Sequence, residues 1–228
     1  MKPQEFRSAR LAKGWTQNQA ATRLGMTQAY LNYLENGKRR LTSKLVRRAT
    51  SVYGLSLSSL PVTDMFVPVE TSDQHLAEAL STLGYPGFRY LRSHTAKKHP
   101  NEFLLTALAQ RSLDGRVAEA LPWVAMNSAE PNSWLVENAR KFNLQNRLGF
   151  VVSLARRAVS KSNVTVQPAA LDHLEFLLDD SRLVKEDYFY RPPRTESESQ
   201  WLRKNRSDDA VHWNLLTDMK PEHLQYVG

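Results

Sequence analysis

Residues 16–37 read TQNQAATRLGMTQAYLNYLENG, and this stretch decides the fold of the first quarter of the chain. Thr16, with Gln19 three residues on, is the reciprocal capping pattern that opens a helix. Gly25, directly after Leu24, suits the left-handed position that closes one. Thr27 then caps a second helix, which Gly37 stops. On that second helix Leu31 and Leu34 share one face, and Met26 joins them from the turn. Gln28, Ala29, Asn32 and Tyr33 project from other faces, with Gln28 and Ala29 in the first turn.

Two short capped helices around a glycine turn are the pattern that sets the first turn of the second helix against base edges in the major groove. Glutamine and asparagine suit that position because their amides pair bidentately with adenine N6 and N7, and Ala29 offers a methyl contact to thymine. Gln28, Ala29 and Asn32 are therefore the expected base-reading residues. Lys38, Arg39 and Arg40 follow the helix directly, where a phosphate strand would pass, and Arg23 and Lys44 are further cationic candidates.

Charge points the same way. Residues 1–60 hold eleven Lys and Arg against Glu5 and Glu35, a net charge of +9, while the chain as a whole carries +8. The remainder is close to neutral, so a polyanionic partner is expected for the first segment alone. Phosphate contacts would supply most of the affinity and make it salt-sensitive.

The first 60 residues parse into about five short helices, the last a brief turn at SLSSL. Their expected core is Phe6, Ala9, Trp15, Ala20, Ala21, Leu24, Met26, Leu31, Leu34, Leu45, Ala49, Val52, Leu55 and Leu60. Pro61 and Pro68 restrict the residues before them and interrupt helical periodicity, which predicts a stiff connector over 61–70. From residue 71 to 228 the chain reads as mostly helical: HLAEALSTL and FLLTALAQRSL space apolar residues three and four apart. WLVENARKFNLQNRLGFVVSLARRAV reads as two helices, with Gly149 a soft spot in the second, and helix outweighs strand for GFVVSL. The paired prolines of YFYRPPRT exclude helix there.

Residues 5–60 resemble the XRE family, the lambda-repressor-like group of helix-turn-helix proteins. The resemblance rests on Arg10, Gly14, Thr16-Gln17, Ala21, Leu24-Gly25, Thr27-Gln28, Leu31 and Leu34-Glu35-Asn36-Gly37. It implies an all-α chain with an N-terminal five-helix DNA-binding domain over 1–60 and a larger helical domain over 71–228. It further implies that Thr16, Gln17 and Thr27 lie near phosphate, and Gln28, Ala29 and Asn32 near bases. A homodimer on an inverted-repeat operator is expected, with half-sites about one helical turn, roughly 34 Å, apart.

Several functions are disfavoured. The chain has no cysteine, which removes disulfides, thiolate catalysis and Cys-type zinc sites. Its six histidines show no HExxH or HxH spacing, and no glycine-rich phosphate loop occurs, so no enzyme, metal or cofactor is expected. The basic run Arg92-Ser93-His94 through Lys97-Lys98-His99 reads as a solvated loop, and Asp179-Asp180 and Asp208-Asp209 as caps or surface charge. Without an apolar leader or a run of about 18 apolar residues, a soluble, cytoplasmic protein is expected.

Phe88, Tyr90, Trp123, Trp134, Phe142, Phe150, Trp201 and Trp213 are expected in the core of the second domain. Tyr188, Phe189 and Tyr190, crowded beside RPPR, are the candidate partner-binding residues. Across the whole length, GYPGFRYLRS, ALPWVAM, LQNRLGFVVSLAR and HWNLLTDMKPEHLQYV resemble XRE-type antitoxins paired with nucleotidyltransferase-like toxins of the AbiEii type. That resemblance implies an autorepressing regulator whose helical domain neutralises a toxin. The alternative is a stand-alone dimeric repressor whose C-terminal domain serves dimerisation or small-ligand sensing.

Overall fold

The computed structural model describes residues 1–91, 98–128, 133–161 and 168–226. They form two compact units, Met1–Thr63 and Asp64–Gly228.

The first unit contains α1 (Pro3–Ala12), α2 (Gln17–Leu24), α3 (Gln28–Glu35) and α4 (Ser43–Tyr53). The expected fifth helix is a single 3₁₀ turn, Leu57–Ser59. Phe6, Ala20, Leu24, Leu31, Leu34 and Ala49 are buried together, as the apolar spacing predicts. Trp15, Met26, Leu45, Val52 and Leu55 sit only partly buried at the margin of this cluster. Tyr53, absent from the expected core, is fully buried between Phe6 and Trp15.

The second unit is built from α5 (Asp73–Leu83), α6 (Pro100–Leu108), α7 (Gly115–Ser128), α8 (Ser133–Lys141), α9 (Gln145–Lys161), α10 (Pro168–Asp179), α11 (Glu196–Asn205) and α12 (Asp208–His212). Helix α9 is its axis, packing against α7, α8, α10 and α12. Its middle turns are buried on every side, and Phe150, Val151, Val152, Leu154 and Ala155 are all fully buried. That is why GFVVSL, strand-like in composition, is helical here. Two short strands, β1 (Asp187–Tyr188) and β2 (Leu215–Leu216), pair in parallel.

Gly149 owes its place in the middle of α9 to Trp213. A Cβ at Gly149 would lie 2.3 Å from the Cη2 of Trp213 and 2.4 Å from its Cζ3. The fully buried indole also donates from Nε1 to the Ser153 hydroxyl at 2.7 Å, one turn along the same helix. Glycine weakens a helix by roughly 1 kcal/mol relative to alanine, and here it admits an aromatic ring to the helix surface.

Of the expected connector over 61–70, the part from Asp64 onward belongs to the second unit. Phe66 is 5% exposed and meets Trp134 and Phe142 edge-on. The Gln110 side chain donates to the Val69 carbonyl at 2.9 Å and accepts from the Thr71 amide at 3.0 Å. Two of the expected core aromatics are on the surface instead: Tyr90 is 66% exposed and Trp201 56%. Trp201 stands on α11 next to Leu202, and it is Leu202 that faces inward, about 100° round the helix.

Candidate nucleic-acid interface

Helix α2 begins where the sequence places it. The Thr16 Oγ1 accepts from the Gln19 amide at 3.2 Å, and the Gln19 side chain accepts from the Thr16 amide at 2.9 Å. Gly25 ends the helix in the left-handed region at φ 61°. The guanidinium of Arg48 lies over the space that a Cβ at this glycine would fill. Thr27 then caps α3 by accepting from the Tyr30 amide at 3.2 Å.

Leu31 and Leu34 are fully buried, which fixes the roll of α3 and leaves Gln28, Ala29, Asn32 and Tyr33 on its exposed side. The turn after α3 is held through the Tyr33 carbonyl, which accepts from the Lys38 amide at 2.8 Å and the Arg39 amide at 3.2 Å. Gly37, at φ 70°, makes that turn possible. The side chains of Lys38, Arg39 and Arg40 are exposed and form no ion pair among the described residues. Arg23 is partly committed elsewhere: it stacks 4.4 Å from the Trp15 ring centroid and donates to the Gln19 carbonyl.

Beneath this surface lies a polar network that spacing alone does not reveal. Arg10 and Glu35 are buried and bonded at two points, Nε to Oε1 at 2.6 Å and Nη2 to Oε2 at 2.9 Å. Arg10 also donates to the Trp15 carbonyl at 2.8 Å. Gln17 donates from Nε2 to Glu35 Oε2 at 2.9 Å, and its Oε1 accepts from Gln28 Nε2 at 3.2 Å. A buried ion pair therefore steers Gln17, and Gln17 steers Gln28. Burial alone would raise the Glu35 carboxyl; hydrogen bonds from Arg10 and Gln17 and the charge of Arg10 hold it below its ordinary range. The bond to Glu35, opposed by burial, raises the guanidinium of Arg10. One signal in the sequence does point to Glu35, though not to its partner. Glu35 is one of two acids among eleven cations and follows the inward-facing Leu34.

At the far end of α3, the Asn36 Nδ2 donates to the Asn32 carbonyl at 3.0 Å and also meets the Asn32 Oδ1. Gln28 and Asn32 are thus exposed but oriented. Thr16 and Thr27 are exposed at helix starts, where backbone amides and hydroxyls suit phosphate.

In the second unit, the candidate partner-binding residues Tyr188, Phe189 and Tyr190 divide: Phe189 is buried, while Tyr188 and Tyr190 are half-buried. Phe189 is 2% exposed and packs 5.0 Å from Phe150, edge to face, so it belongs to the core around α9. Arg147 stacks 4.8 Å from the Tyr188 ring and is bonded to Asp187 and to the carbonyls of Leu108 and Gln110. Tyr190 donates to Asp218 at 2.9 Å.

An open cleft of about 540 Å³ lies among α9, α10 and α12. Its charges are largely paired, Arg156 with Asp172 and Glu175 and Arg157 with Asp209, and His212 Nε2 lies 2.9 Å from an Asp179 carboxylate oxygen. Of the basic run at 92–99, residues 92–97 lie outside the described residues, and His99 caps α6 by accepting from the Asn101 amide. Among the described residues no helix is long and apolar enough to cross a membrane.

Residues 6–60 match the sequence profile of the helix-turn-helix family, a DNA-binding regulatory domain of the XRE type. The match ends at residue 60 and leaves the second unit outside it. No curated protein and no solved structure matches the chain.

Proposed function

We propose that the chain is a sequence-specific transcriptional regulator that binds an inverted-repeat operator as a homodimer, and that its second unit neutralises a nucleotidyltransferase-like toxin. The observation that carries the DNA-reading part is the exposed face of α3. Gln28 and Asn32 stand outward beside Ala29, each held by a second side chain, and the exposed cations Lys38, Arg39 and Arg40 follow. Pre-oriented amides lose little entropy on meeting a base edge, and free cations give sequence-independent affinity. Gln28, Ala29 and Asn32 read bases; Thr16, Gln17, Thr27 and the three cations position the backbone. One such helix covers only a few base pairs, which favours two copies on two half-sites.

Binding of the full chain to randomised duplexes, followed by footprinting and sizing of the selected complex, tests this reading. A symmetric footprint with two protomers supports it, and a single protomer on an asymmetric site removes the dimer.

The antitoxin role is supported by the whole-length resemblance and by a separate, near-neutral helical unit for which DNA binding has no use. Co-expression with the product of the neighbouring reading frame tests it. Complex formation and rescue of growth support the role. Their absence leaves a stand-alone repressor, with the cleft between α9 and α10 as the place for a small ligand.

A further inference from the structure

Glu35 can only accept hydrogen bonds, so Gln17 must turn its nitrogen to Glu35 and its oxygen away. Gln28 meets that oxygen with its own nitrogen and keeps Oε1 and one N–H for a ligand. It presents an acceptor beside a donor, which matches adenine N7 and N6.

The amide of Asn32 is oriented in the opposite sense. A main-chain carbonyl only accepts, so the bond to the Asn32 carbonyl at 3.0 Å identifies the Asn36 atom there as nitrogen. The same nitrogen meets the Asn32 side chain, and two amide nitrogens facing each other would be a donor–donor clash. Asn32 therefore turns Oδ1 inward to Asn36 and leaves Nδ2, with its hydrogens, facing out. Asn32 is exposed and one turn beyond Gln28 on the same helix face.

We propose that Asn36 sets the base preference of Asn32: by engaging its side-chain acceptor it leaves a donor-only group that reads guanine rather than adenine. Guanine offers two adjacent acceptors, N7 and O6, whereas adenine sets an N6 donor beside N7 that would oppose an N–H of Asn32. A donor-only nitrogen is also what lysine brings to guanine. Asn36 is a positioning residue here, and the pair Gln28 and Asn32 reads unlike bases with like amides. The inference rests on the proposal that α3 reads DNA.

Selection of binding sites from randomised duplexes tests it, using the full chain and the variants Asn32→Ala, Asn36→Ala and Asn36→Asp. Thermal melts confirm that each is folded. The base pair whose preference disappears in Asn32→Ala is the one Asn32 reads. The parent chain is expected to favour guanine there by about tenfold, the size of one good base contact. Asn36→Ala frees the Asn32 amide to pair both atoms with adenine, so preference moves to adenine. Asn36→Asp presents an acceptor-only carboxylate, turns the Asn32 nitrogen inward and moves preference to cytosine or adenine, whose exocyclic amines donate. An adenine preference in the parent chain, or a guanine preference unchanged in both Asn36 variants, overturns the inference while leaving sequence-specific binding intact. Absence of any selected sequence, even for the parent chain, overturns the DNA-reading proposal and this inference with it.

Discussion

Arg10 on α1 and Glu35 at the end of α3, 25 residues apart, meet in the interior of the first unit through two charge-assisted hydrogen bonds of 2.6 and 2.9 Å. The pair joins the packing of the unit to the orientation of its outer face, because the same carboxylate holds Gln17 and Gln17 holds Gln28. Removing one partner leaves an uncompensated buried charge, which costs about 3–5 kcal/mol. Glu35→Ala is thus expected to destabilise the first unit by that amount, and Arg10→Met with Glu35→Leu by clearly less. Urea melts of the three proteins check this. A double variant that loses as much as Glu35→Ala would show that an uncompensated buried charge is not what the single variant suffers from.

Acid should act on the same carboxylate. The folded-state pKa of Glu35 lies below its unfolded value, so its stabilising contribution is complete at neutral pH. It is lost as pH falls from the ordinary carboxylate range, about 4, toward the lowered folded value. Protection factors of the α1 and α3 amides, taken against the intrinsic exchange rate at each pH, are expected to fall below pH 4, and to depend less on pH in Glu35→Gln. Protection of α1 and α3 that is flat down to pH 3 would remove Glu35 as the acid-sensitive group.

Alkali acts through buried phenols, of which Tyr53 lies in the first unit and Tyr85 in the second. Burial, with the negative charge of Glu35 for Tyr53 and of Glu119 for Tyr85, pushes both phenols up to about 12. A raised folded pKa favours the protonated phenol, so this stabilisation is full below about 10 and fades as pH rises toward 12. Each phenol resists ionisation by about 3 kcal/mol on this scale. The Tyr53 hydroxyl is moreover buried with no hydrogen-bond partner among the described residues. Tyr53→Phe should leave neutral-pH stability unchanged or higher by up to about 1 kcal/mol and make the first unit more resistant at pH 11. Melting temperatures at pH 7 and pH 11 separate the two effects.

What was legible in the sequence was whatever follows from local periodicity and capping. Thr16, Gly25, Thr27 and Gly37 mark the helices of the first unit because each acts within three or four residues. Leu31 and Leu34 set the roll of α3, and so the exposed side of Gln28 and Asn32. Long-range pairing was not legible. Arg10 with Glu35, Arg147 with Asp187 and Gly149 with Trp213 join residues 25 to 64 apart, and no spacing rule selects such partners. The misplacement of Phe189 has the same origin. A proline-bounded aromatic run resembles a docking surface until Phe150, 39 residues earlier, is brought against it.

Gly149 offers a test of that long-range packing. An alanine there would gain roughly 1 kcal/mol of helix propensity, yet its methyl would fall 2.3–2.5 Å from three carbons of a fully buried indole. Overpacking of this kind costs about 1–3 kcal/mol, so Gly149→Ala is expected to destabilise the second unit. In a Trp213→Leu background the ring is gone and the same change should become neutral or stabilising. A double-mutant cycle on thermal stability measures the coupling, expected at about 1–3 kcal/mol. Additive effects would mean that the indole can move aside.

On α3 and the turn after it, reading and holding should separate by salt. Gln28 presents an exposed amide oriented by Gln17, whereas Arg39 is an exposed cation with no ion-pair partner among the described residues. Gln28→Ala is expected to cost about 1–3 kcal/mol on the selected operator and little on unrelated DNA, with the salt slope unchanged. Arg39→Ala should weaken both duplexes alike and reduce the slope of log K against log salt by about 1. Anisotropy titrations of the two variants on both duplexes, at several salt concentrations, give all four quantities. If Gln28→Ala lowered affinity equally for both duplexes, Gln28 would be a backbone contact, and base reading by α3 would rest on Ala29 and Asn32.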